Sequence, residues 1–148
     1  MDKEENAVVP TLEDDSIRSR IFTIRSVQVM LDRDLAELYG VEVKYLNRQV
    51  KRNLERFPDD FMFQLTRDEC LRCQIGTLNM GRGQHLKYMP YAFTETGVAM
   101  LSSVLRSQRA IAANIKVMRT FVSMRRALAS IAPLLERIEA TDRRQIAD

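Results

Sequence analysis

Gly40 divides the stretch LDRDLAELYGVEVKYLNRQVKRN, residues 31–53, into two short segments of helical periodicity. In the first, Leu35, Leu38 and Tyr39 share a face, with Ala36 close to it. In the second, Val43, Leu46, Val50 and Leu54 form one stripe, spaced 3, 4 and 4. Asp32 is placed to N-cap a helix running to about Tyr39, and Gly40 can take the positive φ that ends it. The second helix is expected over about Val43 to Glu55, stopped by Pro58. Two short amphipathic helices joined by a tight turn must pack on each other and on a further layer. Leu35, Tyr39, Val41 and Leu46 are apolar where a helix-turn-helix buries side chains, and Ala36 is small where the helices would cross. Gln49 departs from that pattern, and Val50 sits one residue late.

The flanking segments supply the further layer. RIFTIRSVQVML has the β-branched and aromatic density of strands, with Arg25-Ser26 as a hairpin turn between strands at roughly 20–25 and 27–31. FMFQL, residues 61–65, alternates as a half-buried strand. TRDE, residues 66–69, has the form of a capping box and should open a short helix through about Gln74. YMPYAF, residues 88–93, reads as a strand with Pro90 at an edge or end. TETGVAMLSSVL starts another helix, and SQRAIAANIKVMRTFVSMRRALASI is long and periodic, with Ile111, Ile115, Met118 and Val122 on one face. Pro133 should break it, leaving LLERIEATDRRQIAD as a short helical or frayed tail. The fold class is α+β: a small mixed-strand domain with a helix-turn-helix-like pair and a long C-terminal helix. Residues 1–16 read as a disordered acidic leader, 17–130 as the domain, and 131–148 as the tail.

Charge directs attention to the second helix of the pair. The net charge of +3 hides an uneven distribution: residues 1–16 sum to −5, so the remainder carries +8. A basic body suits a polyanion. Lys44, Arg48, Lys51, Arg52 and Arg56 lie mostly off the apolar stripe. Lys44, Lys51, Arg52 and Arg56 suit phosphates, which position a helix without reading sequence. Tyr45, Asn47, Arg48 and Gln49 can hydrogen-bond base edges. A second basic element is the loop NMGRGQHLK, where Arg82 between Gly81 and Gly83, with Lys87 beyond, resembles the tip of a flexible wing along a backbone or groove. The competing readings are a solvated charged face for the helix and an ordinary surface loop for the wing.

Other chemistry is poorly supplied. Cys70 and Cys73 form a single C-x-x-C with no second pair, short of the four ligands of a closed zinc site, and packing in a core explains them better. His85 has no nucleophile or orienting acid beside it in the sequence. Asp32, Asp34 and Glu37 are accounted for by the helix dipole. No catalytic residues, metal or cofactor are expected. The start, MDKEENAVVPTLEDDS, lacks the basic and apolar regions of a secretory signal, and no apolar run is long enough to span a membrane, so a cytoplasmic protein is expected.

The segments IRSVQVMLDRDLAELYGVEVKYLNRQVKRNLERFPDDFMFQLT, YMPYAFTETGVAMLSSVLRS and IKVMRTFV resemble, in order, the phage ORF-six-N domain, a relative of the KilA-N and Bro N-terminal domains. The resemblance covers about residues 17–126. It implies a compact α+β fold and a DNA-binding regulator of phage or prophage type, linked with antirepressor-like proteins. FPDDFMFQLT and PYAFTETGVAML are shared blocks read as mainly structural. Family members often carry a second domain, for which only about 20 residues remain here. Double-stranded DNA is therefore the expected partner. A homodimer is a further expectation, and a repressor protein, gripped in place of DNA, is the alternative.

Overall fold

The structure is a computed structural model and describes residues 16–73 and 89–147, with side chains through Thr141. The acidic leader up to residue 15 and the 79–87 loop lie outside the described residues. Strands β1 (Ile21–Ile24) and β2 (Val27–Leu31) form the hairpin, followed by helices α1 (Asp32–Tyr39) and α2 (Val43–Arg52). A 3-10 turn (Leu54–Arg56), β3 (Met62–Gln64), α3 (Arg67–Arg72), β4 (Tyr91–Thr94), α4 (Glu95–Leu101) and α5 (Gln108–Ala147) follow among the described residues. The described strands form one antiparallel sheet in the order β1-β2-β4-β3, so the last strand in sequence lies inside the sheet.

Pairing register explains the two cores. Ile21, Met30, Phe93 and Met62 are cross-strand neighbours, forming one row across all four strands. That row faces Leu35, Tyr39, Val98, Leu101, Val117 and Phe121, and α1, α4 and α5 form the helical layer above it. On the opposite face Val29, Leu31 and Ala92 pack with Leu65 and Cys70 beneath α3. Side chains alternate across a strand, so one sheet buries both faces with separate apolar sets. Pro90 just precedes β4, where its missing N–H breaks no ladder bond, and its carbonyl accepts from Leu65 N–H.

The turns use few residues. Arg25 and Ser26 both take positive φ (56° and 63°) without being glycine, as an I′-like hairpin turn demands. The strain is held by Arg25, whose guanidinium binds both Glu69 oxygens at 2.8 and 3.0 Å and lies 4.2 Å over the Phe63 ring. Glu69 belongs to the capping box of α3, paired with Thr66 as the sequence suggests. Gly40 ends α1 at φ 72°, with Val41 N–H bonded back to the Ala36 carbonyl. At Gly97 an added Cβ would sit 1.9 Å from the Phe61 carbonyl oxygen. Thr94 caps α4 from beside it and donates to the Asp60 carbonyl. The two signature blocks, FPDDFMFQLT and PYAFTETGVAML, thus meet at one close backbone crossing.

Four sequence expectations are corrected. The N-cap of α1 is Leu31, not Asp32, because the Asp32 side chain turns into the protein. Helix α2 ends at Arg52; Asn53 leaves helical geometry, so Leu54 is 55% exposed and Phe57 enters the core instead, edge-on to Phe93. Pro133 does not break α5, which runs through it to Ala147, so the tail continues the long helix. The docked face of α5 is Ala110, Asn114, Val117 and Phe121, whereas Ile111 and Ile115 are exposed. Asn114 decides that face: its carbonyl oxygen accepts from the Tyr39 hydroxyl and its amide donates to the Val98 carbonyl. A helix rotated this way satisfies the buried Tyr39 hydroxyl of α1 and the Val98 carbonyl of α4 together.

Candidate nucleic-acid interface

Helix α2 buries Leu46 and Val50, with Val43 packed partly against the same core. At about 100° per residue, Lys51, Lys44, Arg48, Arg52 and Tyr45 then occupy an arc of about 120° centred opposite that stripe. All five are exposed. Among the described residues none of the four bases forms an ion pair. Tyr45 is 44% exposed at the edge of this arc, unusually open for a large aromatic group.

Asn47 and Gln49 fall at the two flanks of the helix rather than at its outward centre. Both are half-buried. The Asn47 amide donates to Asp32 Oδ2 at 3.0 Å. Asp32 also accepts from the backbone N–H of Arg33 at 2.7 Å and bonds the backbone of Tyr91. It is 2% exposed, and burial pushes its carboxyl above the ordinary range despite those donors. Asn47 is therefore tied into a polar joint linking α1, α2 and β4. Gln49, half-buried on the other flank, explains why an apolar residue is not required there: the core stripe passes through Leu46 and Val50 instead.

Lys44, Asn47, Arg48 and Lys51 surround an open depression of about 460 Å³ floored by Tyr91. Tyr91 could not be found from sequence, since pairing of β4 inside the sheet brings it under a helix far away in the chain. Arg56 lies on the 3-10 turn, beyond the end of α2, where its guanidinium donates to the Ser103 hydroxyl at 3.0 Å. It is not brought onto the outward arc by the helix itself. Arg109, another base on the long helix, donates to the Leu38 and Glu37 carbonyls at 3.3 Å each and so caps the end of α1 beneath Gly40. Arg82, Lys87 and His85 lie outside the described residues.

A family model, the ORF6N domain, matches residues 19–104. The chain belongs to the ORF6N domain family. No curated protein and no solved structure matches it. The ORF6N region ends at Val104, so it takes in the sheet, the α1–α2 pair and α4, and stops before α5. This is a domain of phage type. Cys70 is buried and Cys73 half-buried, both free, and burial raises the Cys70 thiol above its usual range. Among the described residues no group of three His, Cys, Asp or Glu could hold a metal ion, and no helix is long and apolar enough to cross a membrane.

Proposed function

We propose that the chain is a DNA-binding regulatory protein of phage or prophage type, without enzymatic activity, that meets double-stranded DNA through α2. The observation that carries this reading is the outward arc of Lys44, Arg48, Lys51 and Arg52, exposed and free of ion pairs among the described residues. Solvated basic faces ordinarily intersperse acids, which keep the local field low. Here α2 contains no acid between Val43 and Arg52. A helix of 10 residues with its apolar stripe seated on a rigid core can enter a major groove with that arc leading. Lys44 and Lys51 would contact phosphates at the rim of the depression, while Arg48, at the centre of the arc, and Tyr45, at the edge away from the depression, reach towards base edges. A role on DNA places its work in the cytoplasm.

The test is fluorescence anisotropy with labelled duplex DNA across a salt series. Arg48→Ala combined with Arg52→Ala is expected to weaken binding strongly and to lower the salt slope by about one, through the phosphate contact of Arg52. Both side chains are exposed, so thermal stability should not change. Equal affinity for wild type and double variant at fixed salt would remove α2 from the interface. Binding that ignores salt would remove phosphate contact altogether.

A further inference from the structure

The docked face of α5 continues past the body of the protein. Ala110, Asn114, Val117, Phe121 and Met124 are spaced 4, 3, 4 and 3, a heptad seam; the first four are buried and Met124 is half-buried. In the same register follow Leu128, Ile131, Leu135 and Ile138. These four are 55%, 47%, 54% and 57% exposed, and every described residue from Arg125 to Thr141 is exposed. One seam thus spends its first half on this chain's own core and leaves its second half bare.

We infer that a second copy of this chain covers the bare half of the seam, its α5 running antiparallel about a two-fold axis at Pro133. Antiparallel pairing sets each a position against a d position of the other helix. With the axis at Pro133, Leu128 meets Ile138 of the second copy and Ile131 meets Leu135, so all four apolar layers are filled. The flanks fit as well. Leu134, an exposed g-position residue, falls beside its own copy near the axis, where it widens the apolar contact. Ala132, small and at e, meets its own copy on the other flank. Arg125, bound within its own chain to Glu95 at 2.9 Å, stands on the flank that Glu139 of the second copy approaches. A parallel pair would instead set Leu134 against Glu139, an apolar group against a carboxylate. Pro133 falls at the outward f position, where its ring touches no partner.

The length of the helix agrees with this arrangement. Beyond Ile138 the second helix still has nine residues, to Ala147. That is about 13 Å of helix. It would run over the open depression that Phe121, Arg125 and Leu128 share with Val27, Gln28 and Thr96. Each copy would thus cover part of the other's body as well as its helix.

Light scattering on the eluting full-length chain should give twice 17.1 kDa, and Ile131→Lys with Leu135→Lys should return it to 17.1 kDa. Both side chains are half exposed and outside the core, so the double variant should stay folded by circular dichroism, while its thermal midpoint loses the concentration dependence of the wild type. A wild type that is monomeric up to its solubility limit, or a double variant that stays dimeric, would overturn the proposal. Paired spin labels test the direction in a Cys73→Ser background. Labels at Ser123→Cys should lie about 30 Å apart along the axis and labels at Ser130→Cys about 9 Å apart. Equal separations at the two positions would mean a parallel pair and would overturn the antiparallel arrangement.

Discussion

Asn47→Ala separates a residue that reads bases from one that holds the domain together. Asn47 donates 3.0 Å to Asp32 Oδ2, and Asp32 is 2% exposed. A hydrogen bond to a charged group contributes about 1.5–3 kcal/mol; Asn47 is half-buried, so water replaces part of it and the lower end of that range applies. Alanine returns about 0.5 kcal/mol through its better helix propensity. The net loss is then about 1–1.5 kcal/mol, which lowers the thermal midpoint of a chain this size by about 2–6 °C. The loss should depend on pH. Burial raises the Asp32 carboxyl above its ordinary 3.8, and the Asn47 amide opposes that rise. Removing the amide raises the folded-state value further, which disfavours the charged form of the folded protein. The penalty is therefore full at neutral pH and shrinks as pH falls through the raised folded-state values, above 3.8, where Asp32 takes up a proton in both folded proteins. Asn47→Asp should be worse at neutral pH, because it sets two carboxylates side by side, and should recover in acid. Thermal melts of the three proteins at neutral and acid pH supply the test, with selection of bound sequences from a random DNA pool alongside. An Asn47→Ala protein with an unchanged midpoint and an altered base preference would refute the reasoning and restore Asn47 to the interface.

Two further outcomes follow from the packing. Gly97→Ala places a methyl group 1.9 Å from the Phe61 carbonyl oxygen, which also accepts from Thr94 N–H and Thr94 Oγ1 at 3.0 and 3.2 Å. Separating them strains or breaks those bonds, so urea unfolding should show a loss of about 2–4 kcal/mol even after the helix propensity of alanine is counted; an equally stable variant would contradict the close crossing. The Arg25 guanidinium holds the Glu69 carboxyl down at about 2, below its ordinary 4.5. A depressed carboxylate stabilises the fold above its unfolded-state value and loses that contribution as pH falls towards the folded one. Wild type should therefore exceed Glu69→Gln by about 1 kcal/mol at neutral pH, a figure reduced because Arg25 is nearly half exposed, and the gap should narrow between pH 4.5 and about 2. A gap that stays constant through that range would detach Glu69 from the effect.

Legibility differed by the kind of signal. The Thr66–Glu69 capping box, the end of α1 at Gly40 and the Arg25–Ser26 turn were readable because each is settled within a few residues. The turn was the harder of these: neither residue is glycine, and the contacts that hold it come from Phe63 and Glu69. Pro133 misled because a proline costs a helix one hydrogen bond and some strain, which a long run of helix-forming residues can outweigh. Leu54 misled because periodicity does not register that the helix has ended at Arg52.

The sequence alone determined the elements, the α+β class, the glycine-joined helix pair and the basic outward arc of α2, because these depend on spacing along the chain. It also held the heptad run of α5, although not the choice of which stripe docks. Tertiary structure decided what depends on neighbours distant in sequence. Pairing of β4 between β2 and β3 put Tyr91 beneath α2, and Asp32 turned inward to take Asn47 from the candidate contacts. Asn114, bound by Tyr39 and Val98, rotated α5 so that Ala110 rather than Ile111 faces the core. Buried polar groups must find partners, and where those partners stand is a property of the assembled fold, not of any one helix.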